Sequence, residues 1–222
     1  MRTLAPGSLV VSCQPGPGSP FRGPVAMALM AQAAEAGGAG AIRANGPEDV
    51  AAIRAVTDLP IIGIHKLGDP AGVFITPTYE AAAGVVAAGA DLIALDGTLR
   101  PRPDGQPLAH QIARVHTELG VQVMADVDTL EAGQAARDAG ADLVATTLSG
   151  YTKSRTPIEP DVELVRRLTA KLDRPVVAEG RIRTPDDVRA VFDAGAYAVV
   201  VGHAITDPMD LTARLVGAIP AR

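Results

Sequence analysis

A single-domain (β/α)8 barrel of parallel strands, the TIM-barrel class, is the fold this sequence predicts, and three observations lead to it. Eight short runs rich in Val, Ile, Leu and Ala alternate with eight Ala-rich stretches of helical character. A spacer recurs almost literally as Ala87-Ala88-Gly89-Ala90-Asp91, Asp138-Ala139-Gly140-Ala141-Asp142 and Asp193-Ala194-Gly195-Ala196-Tyr197. No shift of composition and no linker divides residues 1–222. Strands alternating with helices at this spacing argue for a parallel sheet, and closure into a barrel is its natural form. A doubly wound open sheet is the alternative.

In chain order the strand candidates are Ser8–Ser12, Ala41–Arg43, Ile61–Ile64, Leu92–Leu95, Gln122–Ala125, Leu143–Ala145, Val176–Ala178 and Ala198–Val201. Helical stretches begin near Pro24, Pro47, Thr78, Pro107, Thr129, Pro160, Thr184 and Pro208. Proline suits a first helical turn, where its missing N–H has no intrahelical acceptor. In Thr184-Pro185-Asp186-Asp187 a capping hydroxyl precedes carboxylates that complement the positive helix end. The glycine of each spacer suits the left-handed conformation that closes a helix just before a buried strand. These spacers speak for fold more than for function.

Composition narrows the class. Apolar residues make up 47% of the chain while Trp is absent and aromatics are 3%, so the core is built from Val, Ile, Leu and Ala. That is the composition of strands buried on both faces. The net charge of −5 is modest and the 20 basic residues are scattered, so no nucleic-acid partner is expected. Cys13 is the single cysteine, which excludes an internal disulfide and fits a reducing compartment. The N-terminal apolar stretch is short and soon broken by a Pro/Gly loop, a poor signal peptide, and no run reaches the ~18 residues of a membrane helix. A cytoplasmic protein is the expectation.

In a barrel of this kind chemistry gathers at the carboxyl ends of the strands. Those ends are Cys13-Gln14, Arg43, Lys66, Asp96, Asp126, Thr146-Thr147, Glu179-Gly180-Arg181 and Gly202-His203, so nearly every strand delivers a polar group to one rim. A lysine in a partly dry mouth has its pKa lowered toward neutrality, which makes Lys66 a candidate base, although a lysine reaching to solvent or into an ion pair reads the same way. Glu179 ends a very apolar strand and either handles a proton or pairs with Arg43 or Arg181. Asp126 either serves the site or caps the next helix, for which Asp128 and Thr129 stand better. Asp96 could simply fix the loop that holds Arg100 and Arg102.

Gly180-Arg181 and Gly202-His203 fall in the loops after strands seven and eight, where backbone N–H groups and a helix start receive phosphate. Alternation turns His65 toward the helices, and His203 lies beside the phosphate corner. His110 and His116 are expected at the surface. No His/Cys/Asp spacing suits a metal and no dinucleotide fingerprint appears, so no cofactor and no metal are expected.

Several segments resemble one family. They are Leu9-Val-Val-Ser-Cys-Gln14, Ile42-Arg-Ala-Asn-Gly46, Gly63-Ile-His-Lys66, Phe74-Ile-Thr-Pro-Thr78, Leu95-Asp-Gly-Thr-Leu-Arg-Pro-Arg-Pro-Asp-Gly105, Met124-Ala-Asp126, Thr146-Thr-Leu-Ser-Gly-Tyr-Thr152, Ala178-Glu-Gly-Arg-Ile-Arg-Thr-Pro185 and Val199-Val-Val-Gly-His-Ala-Ile-Thr206. In this order, and over nearly the whole chain, they resemble the N-acylmannosamine-6-phosphate 2-epimerase family. The resemblance implies a cofactor-independent isomerase that interconverts N-acetylmannosamine 6-phosphate and N-acetylglucosamine 6-phosphate in sialic acid and amino-sugar catabolism. It implies proton transfer at C2 by Lys66 with Glu179 assisting. It implies substrate contacts from Gln14, Arg43, Asp126, Thr147 and Arg181, and phosphate contacts from Gly180 and Gly202 with Arg181 nearby. His203, where the family often has Ser or Thr, is a candidate phosphate donor by position, a plain loop histidine being the alternative. The partner so implied is a phosphorylated amino sugar, with a homodimer as a further expectation and no membrane. Two departures stand out: Asp207 occupies a place where the family often has an Arg, and Lys66-Leu-Gly-Asp-Pro70 replaces a Lys-Arg-Asp-Tyr-like run.

Two other readings stay open on the residues alone. Lys66 could form a Schiff base with a keto-sugar phosphate in a lyase or aldolase. A non-catalytic sugar-phosphate-binding barrel ranks last, because both Lys66 and Glu179 are present.

Overall fold

The computed structural model describes residues 2–16, 18–152 and 158–220. Its strands are β1 (Ser8–Cys13), β2 (Ala41–Asn45), β3 (Ile61–Ile64), β4 (Leu92–Asp96), β5 (Gln122–Asp126), β6 (Leu143–Ala145), β7 (Val176–Glu179) and β8 (Ala198–Val201). They pair in parallel in chain order, and β8 returns to β1 to close the barrel, so the doubly wound alternative is out. Five strands run one or two residues past the expected ends, through Cys13, Asn45, Asp96, Asp126 and Glu179. The parallel ladder bonds backbone to backbone and continues beneath polar side chains, where a hydrophobicity reading stops.

Around the sheet lie α1 (Pro24–Ala36), α2 (Pro47–Arg54), α3 (Tyr79–Ala87), α4 (Leu108–Arg114), α5 (Leu130–Asp138), α6 (Val162–Lys171), α7 (Pro185–Asp193), α8 (His203–Thr206) and α9 (Pro208–Gly217). Two features were not foreseen: a π-helical turn, Val115–Leu119, continues α4, and the short α8 precedes α9. Thr184 caps α7 in a full capping box with Asp187. Thr129, not Asp126, caps α5. No helix among the described residues is long and apolar enough to cross a membrane.

Two-residue alternation along the strands makes two cores. Val11, Ile42, Ile61, Ile93, Val123, Val144, Val176 and Val199 face the helices. Val10, Ala41, Ile62, Leu92, Met124, Leu143, Val177 and Val200 fill the barrel. Gly63 lets α3 and the spacer after it approach β3 closely, since a Cβ there would stand 3.3 Å from the Val85 Cβ and 2.6 Å from the Ala90 Cβ.

The spacers brace the end of the barrel away from the strand termini. Gly89, Gly140 and Gly195 all have positive φ, between 96° and 109°. The Asp91 carboxylate then accepts from Arg54 and from the Ile61 N–H, while Asp142 accepts from the Val123 N–H and pairs with His116. His116 is thus partly exposed at the surface and hydrogen-bonded to Asp142; His110 is exposed. In the third spacer Tyr197 donates its hydroxyl to the Leu4 carbonyl.

Candidate active site

The inward alternation that fills the barrel carries on to its rim. Val10 leads to Ser12 and Gln14, Ala41 to Arg43 and Asn45, Ile64 to Lys66, Ala94 to Asp96, Met124 to Asp126, Ala145 to Thr147 and Val177 to Glu179. Strand parity therefore sends these side chains into the mouth and turns His65 away. A cavity of about 680 Å³ opens there, lined by Gln14, Arg43, Lys66, Thr147, Glu179, Gly180, Arg181, Gly202 and His203 among others. Asp126 lies beneath it, fully buried.

Arg43 is the crossbeam of the site. It is 1% exposed, and β2 lies opposite β6 in the closed order, so its guanidinium spans the barrel to three consecutive strand ends. Nη2 meets Asp126 Oδ2 at 2.5 Å and Nη1 meets Asp126 Oδ1 at 3.2 Å; Nη1 also reaches Glu179 Oε2 at 2.5 Å and Thr147 Oγ1 at 3.4 Å. Burial opposes the arginine's charge, but the two carboxylates more than offset it and hold its pKa above the ordinary value. Arg43 Nε is buried and has no partner among the described residues. Glu179 thus pairs with Arg43 and not with Arg181.

The Glu179 carboxyl is 15% exposed. Burial, reinforced by the nearby Asp126 charge, pushes its pKa up against the opposing pull of Arg43, Thr147 and Lys66. Thr146 fixes its backbone: the Glu179 N–H donates to Thr146 Oγ1 at 3.0 Å, and that hydroxyl donates to the Glu179 carbonyl at 2.9 Å.

Lys66 sits at the open side of the cavity on a small hairpin. Its N–H donates to Asn45 Oδ1 at 2.8 Å, it bridges to Ile75, and the Leu67 N–H donates to the Phe74 carbonyl. Thr76 locks the hairpin base with φ at 46°, a left-handed value that strains a β-branched residue. In return its fully buried hydroxyl donates to the Ala94 carbonyl at 2.7 Å and accepts from the His65 N–H at 3.1 Å. Lys66 is reachable from solvent yet flanked by protein; the loss of water, then the Arg43 charge, lowers its pKa.

Asp96 fixes its own loop. Its Oδ1 accepts from the Thr98 N–H and hydroxyl, Oδ2 accepts from Arg100, and Arg102 donates to its carbonyl. Gln14 donates to Ser12 Oγ at 2.8 Å, and its buried Oε1 has no partner among the described residues.

At the expected phosphate corner, Gly180 (φ 112°) and Arg181 (φ 59°) turn the chain together. Arg181 spans two loops, donating to the Ser149 and Glu159 carbonyls at 2.7 Å each. Gly202 stands against Ser12, where a Cβ would approach to 3.4 Å, and His203 opens α8. Asp207 is buried and accepts from the Gly16 and Asp210 N–H groups, capping α9.

Residues missed in the sequence also line the cavity: Ser12, Arg22, Asn45, Asp49, Arg100 and Arg183. Parity along β1 and β2 signals Ser12 and Asn45, whereas the others come from loops. With Lys66, Arg181 and His203, the three arginines make the rim predominantly basic. No group of three or more His, Cys, Asp or Glu among the described residues could hold a metal ion.

Residues 27–221 match the family model NanE, described as "Putative N-acetylmannosamine-6-phosphate epimerase". A Cutibacterium acnes protein named "Putative N-acetylmannosamine-6-phosphate 2-epimerase" is 54% identical over 209 residues, covering 93% of this chain and 91% of its own. A like-named protein of Caldanaerobacter subterraneus is 46% identical over 217 residues, covering 96% and 92%. The solved N-acetylmannosamine-6-phosphate 2-epimerase from Clostridium perfringens superposes with a TM-score of 0.93 at 40% identity, covering 97% of this chain and 95% of that one.

Proposed function

This chain belongs to the N-acetylmannosamine-6-phosphate epimerase family, and we propose that it interconverts N-acetylmannosamine 6-phosphate and N-acetylglucosamine 6-phosphate. The observation that carries the reading is the opposition of Lys66 and Glu179. They follow β3 and β7, strands that face each other across an eight-strand closed barrel, and both line the same cavity.

In the open-chain sugar C2 is alpha to an aldehyde, so its proton is acidic once the developing enolate is stabilised. One of the two groups, unprotonated, takes the C2 proton; the C–H electron pair moves into the enolate. The other, protonated, returns a proton to the opposite face as the enolate collapses back to the aldehyde. The two groups exchange protonation states, and solvent resets them. The shifts found for Lys66 and Glu179 both run toward neutrality and support this use. Gln14, which lines the cavity, is suited to the acetamido group, and Arg43 with Asp126 keeps Glu179 in register. Gly180, Gly202, His203 and the basic rim suit the phosphate, with Arg181 organising the loops beside it.

Residues 1–222 act in this reading as one barrel domain, and the single buried Cys13 supports a cytoplasmic setting. We assign a second copy of the chain as a partner. Phe21, Val25 and Leu29 leave an apolar groove of about 530 Å³ on α1, and α9 buries none of its residues while exposing Met209, Leu215 and Val216. A monomeric mass by light scattering at micromolar concentration would overturn that assignment. For the reaction, the test is NMR with N-acetylmannosamine 6-phosphate in deuterated water. Epimer should form with deuterium at C2; folded protein producing neither epimer nor exchange rules the reaction out.

A further inference from the structure

Thr147 stands between the two carboxyl groups of the site with one hydrogen to give. Its Oγ1 lies 2.7 Å from Asp126 Oδ1 and 3.1 Å from Glu179 Oε2, with Arg43 Nη1 at 3.4 Å. A hydroxyl has one O–H and two lone pairs. Here Arg43 occupies one lone pair, and the O–H serves one carboxylate at a time. With both carboxyls ionised, one of the two oxygen–oxygen contacts is left without a hydrogen. Arg43 cannot supply it by moving, because its two Nη groups are already divided between Asp126 and Glu179.

The charge on Glu179 decides which contact needs the hydrogen. While Glu179 is ionised, its Oε2 competes with Asp126 for the hydroxyl. Once it has accepted a proton on its other oxygen, Oε2 carries less charge and Asp126 keeps the bond. We propose that Thr147 is a positioning residue whose hydroxyl swings between Glu179 and Asp126 as Glu179 loses and gains the substrate proton. The O–H bond of Thr147 stays intact and only rotates: it secures Glu179 when ionised, while Arg43 Nη1 faces Oε2 in both states.

The adjacent Thr146 already clamps the Glu179 backbone, so consecutive threonines grip one glutamate at two levels. The charged groups facing Glu179 are Arg43 from β2, Lys66 after β3 and Asp126 from β5. Against burial, the Thr147 hydroxyl favours the ionised form of Glu179. The inference rests on the reading of Glu179 as a proton-handling group, and it differs from a role for Thr147 in holding substrate.

The test compares wild type, Thr147→Val and Thr147→Ser. Carbon-13 NMR of glutamate-labelled protein, with the Glu179 signal assigned by its loss in Glu179→Gln, reads the titration without any substrate. In T147V the Glu179 midpoint should rise by about one pH unit, and T147S should return it toward wild type. In turnover, T147V should lower kcat roughly 10- to 100-fold with KM within about twofold, and the pH limb that Glu179 controls should move up. An unmoved midpoint overturns the proposal, as does a raised KM with unchanged kcat, or a T147S that fails to restore either readout. Should T147V not fold, Thr147→Ala is read by the same two criteria. Inactive wild type would defeat the proposed reaction, while the titration still decides the role of Thr147.

Discussion

Replacing Asp126 by Asn should destabilise the protein and move the titration of Glu179 in a known direction. Arg43 and Asp126 are both sealed from solvent and share two bonds. Asparagine offers one acceptor oxygen; its NH2 turned to the other Nη sets donor against donor. Removing one partner of a buried ion pair costs about 3–5 kcal/mol, because the remaining charge stays buried. Glu179 still faces Nη1, which sets the loss at the lower end, about 3 kcal/mol. At about 2–4 °C per kcal/mol for a chain of this size, Tm should fall by about 6–12 °C. Calorimetry of both proteins at neutral pH reads that directly. After burial, the Asp126 charge is one of the influences that raise the Glu179 pKa. Its removal leaves Arg43 acting on Glu179 alone, so the pH limb controlled by Glu179 should move to lower pH, opposite to the shift expected of T147V. A Tm loss under about 2 °C, or a limb that moves up, would refute the view of Arg43–Asp126 as a sealed pair that tunes Glu179.

Lys66→Ala should abolish turnover while Tm stays within about 2 °C, since the side chain reaches solvent at the open side of the cavity; near-normal turnover would assign the essential proton transfer elsewhere. Borohydride added with substrate should leave no adduct on Lys66 by mass spectrometry, and a stable adduct would instead favour the Schiff-base lyase. Thr76→Val keeps the left-handed φ but strands the Ala94 carbonyl and His65 N–H, at about 1–3 kcal/mol. Its Tm should therefore drop and kcat should fall with it, because the Lys66 hairpin loses its anchor; unchanged kcat would uncouple the two. Asp207→Ala removes a helix cap worth about 1 kcal/mol and should leave KM for the phosphorylated sugar unchanged. A changed KM would return Asp207 to the phosphate corner.

The barrel was legible because local patterns agree with one another: β-branched runs, proline at helix starts and the three glycine spacers all mark the same boundaries. The rim was legible for the same reason, since alternation beyond a strand's last apolar residue dictates which side chain points inward. His65 and Lys66 were separated on that parity alone. What lay hidden depends on distant pairing. The Arg43–Glu179 pair stood as one alternative on the sequence, but nothing local to Arg43 reveals that it also reaches Asp126, 83 positions away. Thr76 in a left-handed conformation is a tertiary compromise that no propensity suggests. Asp207 reads as a misplaced charge beside a phosphate corner until α8 and the Gly16 loop show it capping a helix.

The Arg43 crossbeam has a consequence for reversibility. Below it the barrel is filled with hydrocarbon and above it the cavity admits water, so it marks where one medium gives way to the other. A base and an acid held at such a boundary are driven toward each other on the pH scale: the ammonium of Lys66 becomes easier to deprotonate and the carboxyl of Glu179 harder. As their proton affinities draw closer, handing a proton from one side of a carbon to the other becomes more symmetrical in energy whichever side starts. A catalyst that serves two epimers of almost equal free energy needs that symmetry. In the mechanism proposed above it comes from the depth at which two strands end, with no need for matching residues on the two faces.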